Sequence, residues 1–190
     1  MKCAEFFSSL PTTFPAQGSP GTETEWMHCC GFELKGTRLW VGDLAFVPAE
    51  DAGVSAELPP GKYEIAVMGV AYGEDHRAAR LRVASSDGAL GAELGTFGTD
   101  WGMAGVCDMD RMDGLVERDE EGYMEWLSEF MGQDFATPGV AACEPADTKV
   151  IYTPSGFGDG TFTVFELRAG DALVGLEVEF IASETPYPFE

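Results

Sequence analysis

Basic residues are scarce in this chain. Of its 190 residues 11 are Lys or Arg, against 33 Asp or Glu, for a formal charge of −22. A surface of that sign repels phosphate backbones and anionic headgroups, which argues against binding nucleic acid or a membrane surface by bulk electrostatics. Histidine is scarcer still. His28 and His76 stand alone, neither at metal-ligand spacing nor near a GxSxG-like sequence. His28 does neighbour Cys29 and Cys30, but adjacent strand residues point apart, which disfavours a Cys–His nucleophile. The five cysteines (Cys3, Cys29, Cys30, Cys107, Cys143) are odd in number and scattered, with no CxxC. That pattern argues against both a disulfide framework and a zinc site. No apolar run approaches the roughly 20 residues of a membrane helix. The segment "CAEFF", interrupted by Glu5, is too short for the apolar region of a secretory leader. Together these absences lead us to expect a cytoplasmic protein with free thiols.

What is present is a folding chain. Hydrophobic residues make up 45% of it, enough for one domain with a sizeable core. Residues 1–25 read as an irregular lead-in, because "SSLPTTFPAQGSPGTETE" is rich in Ser, Thr, Pro and Gly. Residues 26–190 read as a single β-rich domain of short strands between turn signals. "RLWVGDLAFV" (38–47) is apolar with a Gly42-Asp43 interruption, which suggests a bulge or bend. In 58–72 Tyr63, Ile65 and Val67 share one face. In 77–86 Leu81 and Val83 oppose Arg80 and Arg82, with "GEDH" as the intervening hairpin loop and His76 at its tip. Further strands are expected at 90–97 and 104–108, and a three-stranded meander at 148–181, where Leu176 and Val178 alternate with Glu177 and Glu179. One amphipathic helix is expected at 117–133, where Tyr123, Trp126, Leu127 and Phe130 form a stripe and acidic residues crowd the first turns. The predicted fold is therefore mainly β (α+β): an antiparallel β-sandwich or bent sheet with one helix packed on it.

Several groups could carry chemistry. In "PSGFGDGTF" Asp159-Gly160 between strand-like runs is a hairpin signal. The alternate glycines also permit close backbone approach, so Phe157, Gly158 and Gly160 are candidates for the edge of a ligand site. No Lys-Ser/Thr follows, which excludes a phosphate-cradling loop. Trp101, in the glycine-rich "GTFGTDWGMAG", could wall an apolar pocket or simply pack across the sandwich. In "CDMDRMDG" Asp108, Asp110 and Asp113 are candidate ligands of a divalent cation. The EF-hand register fails, since it would put Met112, Asp113 and Asp119 at positions 5, 6 and 12. The alternative is that Asp113 caps a helix and the others are solvated. Asp43, Asp108 and Asp159 each lie beside or near glycine in apolar surroundings and are candidate catalytic carboxylates.

The segment "VIYTPSGFGDGTFTVFELRAGDALVGLEVEFI" resembles the closing part of a bacterial domain-of-unknown-function family (number four-two-four-one). The shared positions are Ser155, Gly156, Phe157, Gly158, Asp159, Gly160, Phe162 and Val164. "LPPGKYEIAV", "RAARLRVA" and "AGVCDMDRMDG" resemble upstream parts of the same family, with Asp108 in the acidic place. The chain has Phe162-Thr163 where the family usually has Tyr-Pro, and Asp110 where a Gly is usual. The resemblance implies a mostly β intracellular bacterial protein and transfers no catalytic residue and no cofactor.

Two functions follow as expectations. The first is a non-enzymatic interaction module whose acidic surface meets a basic protein, as an immunity or antitoxin protein meets a basic toxin. The second is a hydrolase, or a small-ligand or divalent-cation site, built from Asp43, Asp108 and Asp159 with Trp101. It requires those three carboxylates to converge in one concave pocket.

Overall fold

Two periodicities alternate along the chain, and they sort its strands into one-face-buried and two-face-buried kinds. The computed structural model describes residues 3–7, 11–132 and 137–189. Its elements in order are α1 (Cys3–Phe7), β1 (Thr22–Glu23), β2 (Met27–Leu34), β3 (Arg38–Asp43), β4 (Gly53–Glu57), β5 (Gly61–Tyr72), β6 (Asp75–Ala84), β7 (Ala89–Thr99), β8 (Met103–Asp108), α2 (Met109–Arg118), α3 (Glu120–Met131), β9 (Gly139–Cys143), β10 (Thr148–Pro154), β11 (Gly160–Ala169) and β12 (Ala172–Glu179). Short 3₁₀ turns follow β3, precede β4 and precede β10.

Every strand pairing is antiparallel. A seven-stranded sheet runs β5-β6-β12-β11-β7, with β1 and β2 sharing the outer side of the long strand β5. A five-stranded sheet runs β4-β3-β8-β10-β9. The first sheet alternates. Ile65, Val67, Leu81, Val83, Leu176 and Val178 point into a core between the sheets, where they meet Leu39, Val41, Ala104, Val106 and Ile151 of the second. In the second sheet the inner strands β3 and β8 are buried on both faces, and they carry almost no polar side chains. Its outer face sets Trp40, Cys107, Cys143 and Val150 against Met109, Met112 and Leu115 of α2 and Trp126 and Phe130 of α3. The layers are sheet, sheet, helices. Burying each large helix side chain contributes about 2 kcal/mol. The two helices are thus part of the core and not an appended layer.

The mainly β, antiparallel architecture is the one the sequence suggests, and of its two alternatives, sandwich or bent sheet, the structure has two sheets. Three details differ. The helical region is two helices, α2 and α3, and not one at 117–133. Asp119 ends α2 in a non-helical conformation and caps α3, its carboxylate accepting from the Gly122 amide at 3.0 Å. The acidic run 117–121 marks that junction. The apolar spacing Met109, Met112, Leu115 extends the helical period upstream, to a start capped by Asp108 and not by Asp113. Second, 148–181 is no meander. β10 pairs with β8 and β9 in one sheet, whereas β11 pairs with β7 and β12 in the other. "SGFGD" is therefore a crossing between sheets and not a hairpin turn. Third, His76 is not at a loop tip. The hairpin turn is Gly73-Glu74, and His76 lies in β6.

The crossing explains its glycines. The Ser155 amide donates to Gly102 O at 2.9 Å, its hydroxyl donates to Gly158 O at 2.9 Å, and the Gly158 amide returns to Ser155 O at 3.2 Å. Closing that loop puts Gly156 at φ 66° and Gly158 at φ 113°, where a side chain is strained. Phe157 packs among Tyr72, Tyr187 and Phe189 at ring separations of 5.5–6.0 Å.

Alternation in β12 predicts a wet face for Glu177, but it is 2% exposed. Arg82 grips it through Nε at 3.0 Å and Nη2 at 2.6 Å, with Arg80 at 3.5 Å. Arg82 also lies over the Trp26 ring at 4.2 Å. The register explains this: β6 and β12 place Arg82 opposite Glu177 and Arg80 opposite Glu179. In β2 a bulge between His28 and Cys30 breaks the alternation, leaving Cys29 and Cys30 both half-buried. None of the five cysteines is in a disulfide.

Within the 1–25 segment, residues 11–21 form no regular element, but α1 docks on the first sheet. Phe6 is buried and stacks on the His76 ring at 4.3 Å, and the His76 Nδ1–H donates to Phe6 O at 2.6 Å. The Phe6 ring occupies the space beside Gly69 that a Cβ there would need. Phe6→Ala is expected to lower the unfolding free energy by about 3 kcal/mol in urea denaturation. A change below about 0.5 kcal/mol would mean that α1 is a dispensable extension.

Candidate functional site

The site candidates begin at the β8–α2 junction. Asp108 is fully buried, and its carboxylate accepts three backbone N–H groups: Lys35 and Gly36 at 2.7 Å each from the β2–β3 turn, and Arg111 at 3.2 Å from α2. Gly36 is required there, since a Cβ would come within 2.6 Å of both Asp108 and Asp110. Asp110 takes the Thr37 amide at 2.7 Å, the Thr37 hydroxyl at 3.1 Å, the Arg38 amide at 3.2 Å and Arg38 Nε at 2.5 Å. Arg38 Nη2 donates to Asp113 at 2.6 Å. The three aspartates thus latch the first turns of α2 onto the β2–β3 turn. Their oxygens are occupied by backbone N–H groups and a guanidinium, which removes the basis for assigning Asp108, Asp110 and Asp113 to a cation. Among the described residues no group of three or more His, Cys, Asp or Glu side chains is placed to hold a metal ion.

Asp43, Asp108 and Asp159 do not converge. Asp43 lies opposite Ala104, and Asp108 opposite Leu39, at the two ends of the β3–β8 ladder. At about 3.3 Å per residue that is roughly 13 Å or more. Asp43 is buried and holds the Ala45 amide at 2.9 Å and the Asp100 amide at 3.0 Å, capping the 3₁₀ turn Leu44–Phe46 and tying it to the β7–β8 turn. Asp159 is exposed on the crossing. Trp101, 60% exposed, stands at the same end, because its neighbour Gly102 abuts Gly158. Gly160 opens β11 opposite Thr99. None of Trp101, Phe157, Gly158, Asp159 or Gly160 lines either of two clefts in the structure, one between the loop after β3 and helices α2 and α3, the other between β2–β5 and β9–β10. The His28 ring meets Glu64 at 3.0 Å, and Cys29 hydrogen-bonds to Cys3 and to Met27 O.

The first of these clefts is the candidate functional site: an apolar groove of about 500 Å³. Ala45, Val47, Val116 and Leu127 line it, and Phe46 and Met124 stand at its mouth, 52% and 54% exposed. The loop that forms one wall is fixed from two sides. Trp40, fully buried beneath it, donates from Nε1 to Ala49 O at 3.1 Å, and the Tyr123 hydroxyl donates to Val47 O. Burial, with the Cys107 and Cys143 thiols nearby, pushes the Tyr123 phenol up to about 12, so it stays a donor. The rim is acidic. Glu50, Asp113 and Glu117 line the groove, and Asp119, Glu120, Glu121, Glu125 and Glu129 are exposed along α3. The described part of α3 contains no Lys or Arg.

The sequence assigns Tyr123 and Leu127 to a core stripe, and they are only partly buried. The groove needs the 44–49 loop brought beside α3, and that juxtaposition has no local sequence signal. The readable signal is the placement of exposed apolar Met124 within a run of carboxylates. Compared with family models, curated proteins and solved structures, the chain matches none.

Two outcomes test these roles. Asp108→Ala leaves three amides without an acceptor and is expected to cost about 2–4 kcal/mol in urea denaturation, whereas Asp159→Ala is expected to stay within about 0.5 kcal/mol. Burial alone would raise the Asp110 carboxyl, but hydrogen bonds from Thr37 and Arg38 override it and lower it from near 3.8 to about 2. Because the folded-state value lies below the unfolded one, its contribution to stability is present above pH 3.8 and is lost as the pH falls toward 2. Asp110→Asn is expected to flatten the stability–pH curve in that interval alone.

Proposed function

We propose that this protein is an acidic recognition module. It receives a basic segment of a partner protein, with an apolar side chain seated in the groove between the 44–49 loop and α3. The observation that carries this reading is the combination of exposed apolar groups with a run of unneutralised carboxylates at Glu117 and along α3, beside Glu50 and Asp113, which Arg38 holds. Phe46 and Met124 offer an anchor site, and Glu117, Glu120, Glu121, Glu125 and Glu129 make no ion pair among the described residues. An apolar patch alone would accept many partners. The carboxylates select those with Lys or Arg flanking the anchor and speed their approach. A net charge of −22 extends that bias over the whole surface. No helix among the described residues is long and apolar enough to cross a membrane. Unpaired thiols suit a cytoplasmic setting, and an immunity or antitoxin role against a basic protein fits the same chemistry.

The test is titration of the protein with a synthetic amphipathic peptide bearing Lys or Arg around one Leu or Phe, read by calorimetry at low and at physiological salt. Binding is expected to weaken as salt rises, since exposed charges are screened beyond about 8 Å at physiological ionic strength. Met124→Asp and Phe46→Asp are expected to weaken it at least about tenfold, equivalent to 1.4 kcal/mol. A peptide that binds equally well to both variants, or a charge-reversed peptide that binds as well, would sink the reading.

A further inference from the structure

With so few cations, the use of each described one can be followed. Arg38 is held by Asp110, Asp113 and Glu50; Arg77 by Asp75; Arg80 and Arg82 by Glu177; Arg168 by Glu166. Arg111 and Lys35 share Asp147, and Arg118 donates to Pro145 O. Among the described residues that leaves two cationic side chains with neither an ion pair nor a hydrogen bond, Lys62 and Lys149. Both line one cleft of about 380 Å³.

The cleft lies where the two sheets meet at one edge. Lys62 is on β5, cross-strand from Glu33 of β2, and Lys149 is on β10 of the other sheet, cross-strand from Ala142 of β9. Residues 31–33 of β2 and 62–64 of β5 form one wall, with Lys35 beyond them, and β9, the turn after it and the start of β10 form the other. Gly31 also lines the cleft, and a Cβ there would meet nothing within 4 Å, so the space over it is open. Two carboxylates of the lining, Glu33 and Glu144, likewise have no ion pair or hydrogen bond through their side chains among the described residues. Thr148 lines the cleft too, and its Oγ1 is buried without a hydrogen-bond partner. Lone ammonium groups in a chain rich in carboxylates would gain from an anion, and the free carboxylates beside them would gain from a cation.

From this matched set of unpaired charges we infer a binding site for a small zwitterion, an α-amino acid or short peptide. Lys62 and Lys149 take its carboxylate, and Glu33 or Glu144 takes its ammonium. The cleft volume lies in the range of small-molecule sites. A purely anionic ligand would be repelled by Glu33, Glu64, Glu144 and Asp147 of the lining, and a purely cationic one by Lys35, Lys62 and Lys149.

The experiment measures thermal stability and calorimetric binding with a panel of α-amino acids and Gly-X dipeptides. Each is compared with its N-acetylated form (carboxylate only) and its C-terminal amide (ammonium only). At least one zwitterion is expected to raise the melting temperature in proportion to the logarithm of its concentration, as a ligand of the folded state must. Both blocked forms are expected to bind at least about tenfold more weakly. Lys62→Met with Lys149→Met is expected to abolish zwitterion binding. These side chains are exposed, so the unliganded melting temperature should hold. In Glu33→Gln with Glu144→Gln, the N-acetylated form should bind as well as the zwitterion. Absence of binding by every zwitterion, or binding that survives the double lysine substitution, would overturn the inference. The same lysine variant should still bind the basic peptide at the 44–49 groove, so failure at one site is separable from failure at the other.

Discussion

The arrangement hangs on a buried carboxylate that is balanced by peptide groups and not by a cation. Asp108 ends a strand buried on both faces, starts a helix, and gathers amides from a turn more than seventy residues earlier in sequence. Three N–H groups converge on it where water is excluded, so each donor has its acceptor. That convergence fixes the angle at which α2 leaves the five-stranded sheet. The position of α2 sets that of α3, since the two are joined through the single residue Asp119. α3 in turn supplies one wall of the groove. Arg38 reinforces the same joint from the strand side, where it spans Asp110 and Asp113 on successive turns of α2.

Legibility followed burial. Where one face of a strand is wet, alternation is informative: the faces of β5 and β6 can be read directly from Ile65/Val67 and Leu81/Val83, whereas in β12 the alternating Glu177 is buried by its ion pair with Arg82. Where both faces are buried, the pattern becomes a plain apolar run, and the sheet to which it belongs is hidden. β10 and β11 are adjacent in sequence and both look like strands, yet they lie in different sheets, because Gly156 and Gly158 redirect the chain. Asp-Gly is a good local signal for a turn, but it does not say which strands the turn connects.

The aspartates show the same limit in their chemistry. Asp108, Asp110 and Asp113 have the spacing and type of oxygen ligands, and Asp43 has the setting of a buried acid. Backbone N–H groups from distant segments occupy Asp43, Asp108 and Asp110. Arg38, the partner of Asp113, lies 75 residues upstream. Neither cleft is legible in the sequence, for the converse reason. Lys62 and Lys149 are ordinary surface residues in one dimension, and only the meeting of the sheets makes them neighbours.

The stretch before β1 and the tail after β12 are fastened to each other. The Gly18 amide donates to Tyr187 O and the Tyr187 amide to Ser19 O, both at 2.9 Å, and the Gln17 side chain reaches Pro188 O at 3.2 Å. The chain therefore passes the same spot on the exterior twice, once on its way into β1 and once after leaving β12. Traction on the tail is therefore shared with the residues that lead into β1, instead of falling on β12 alone.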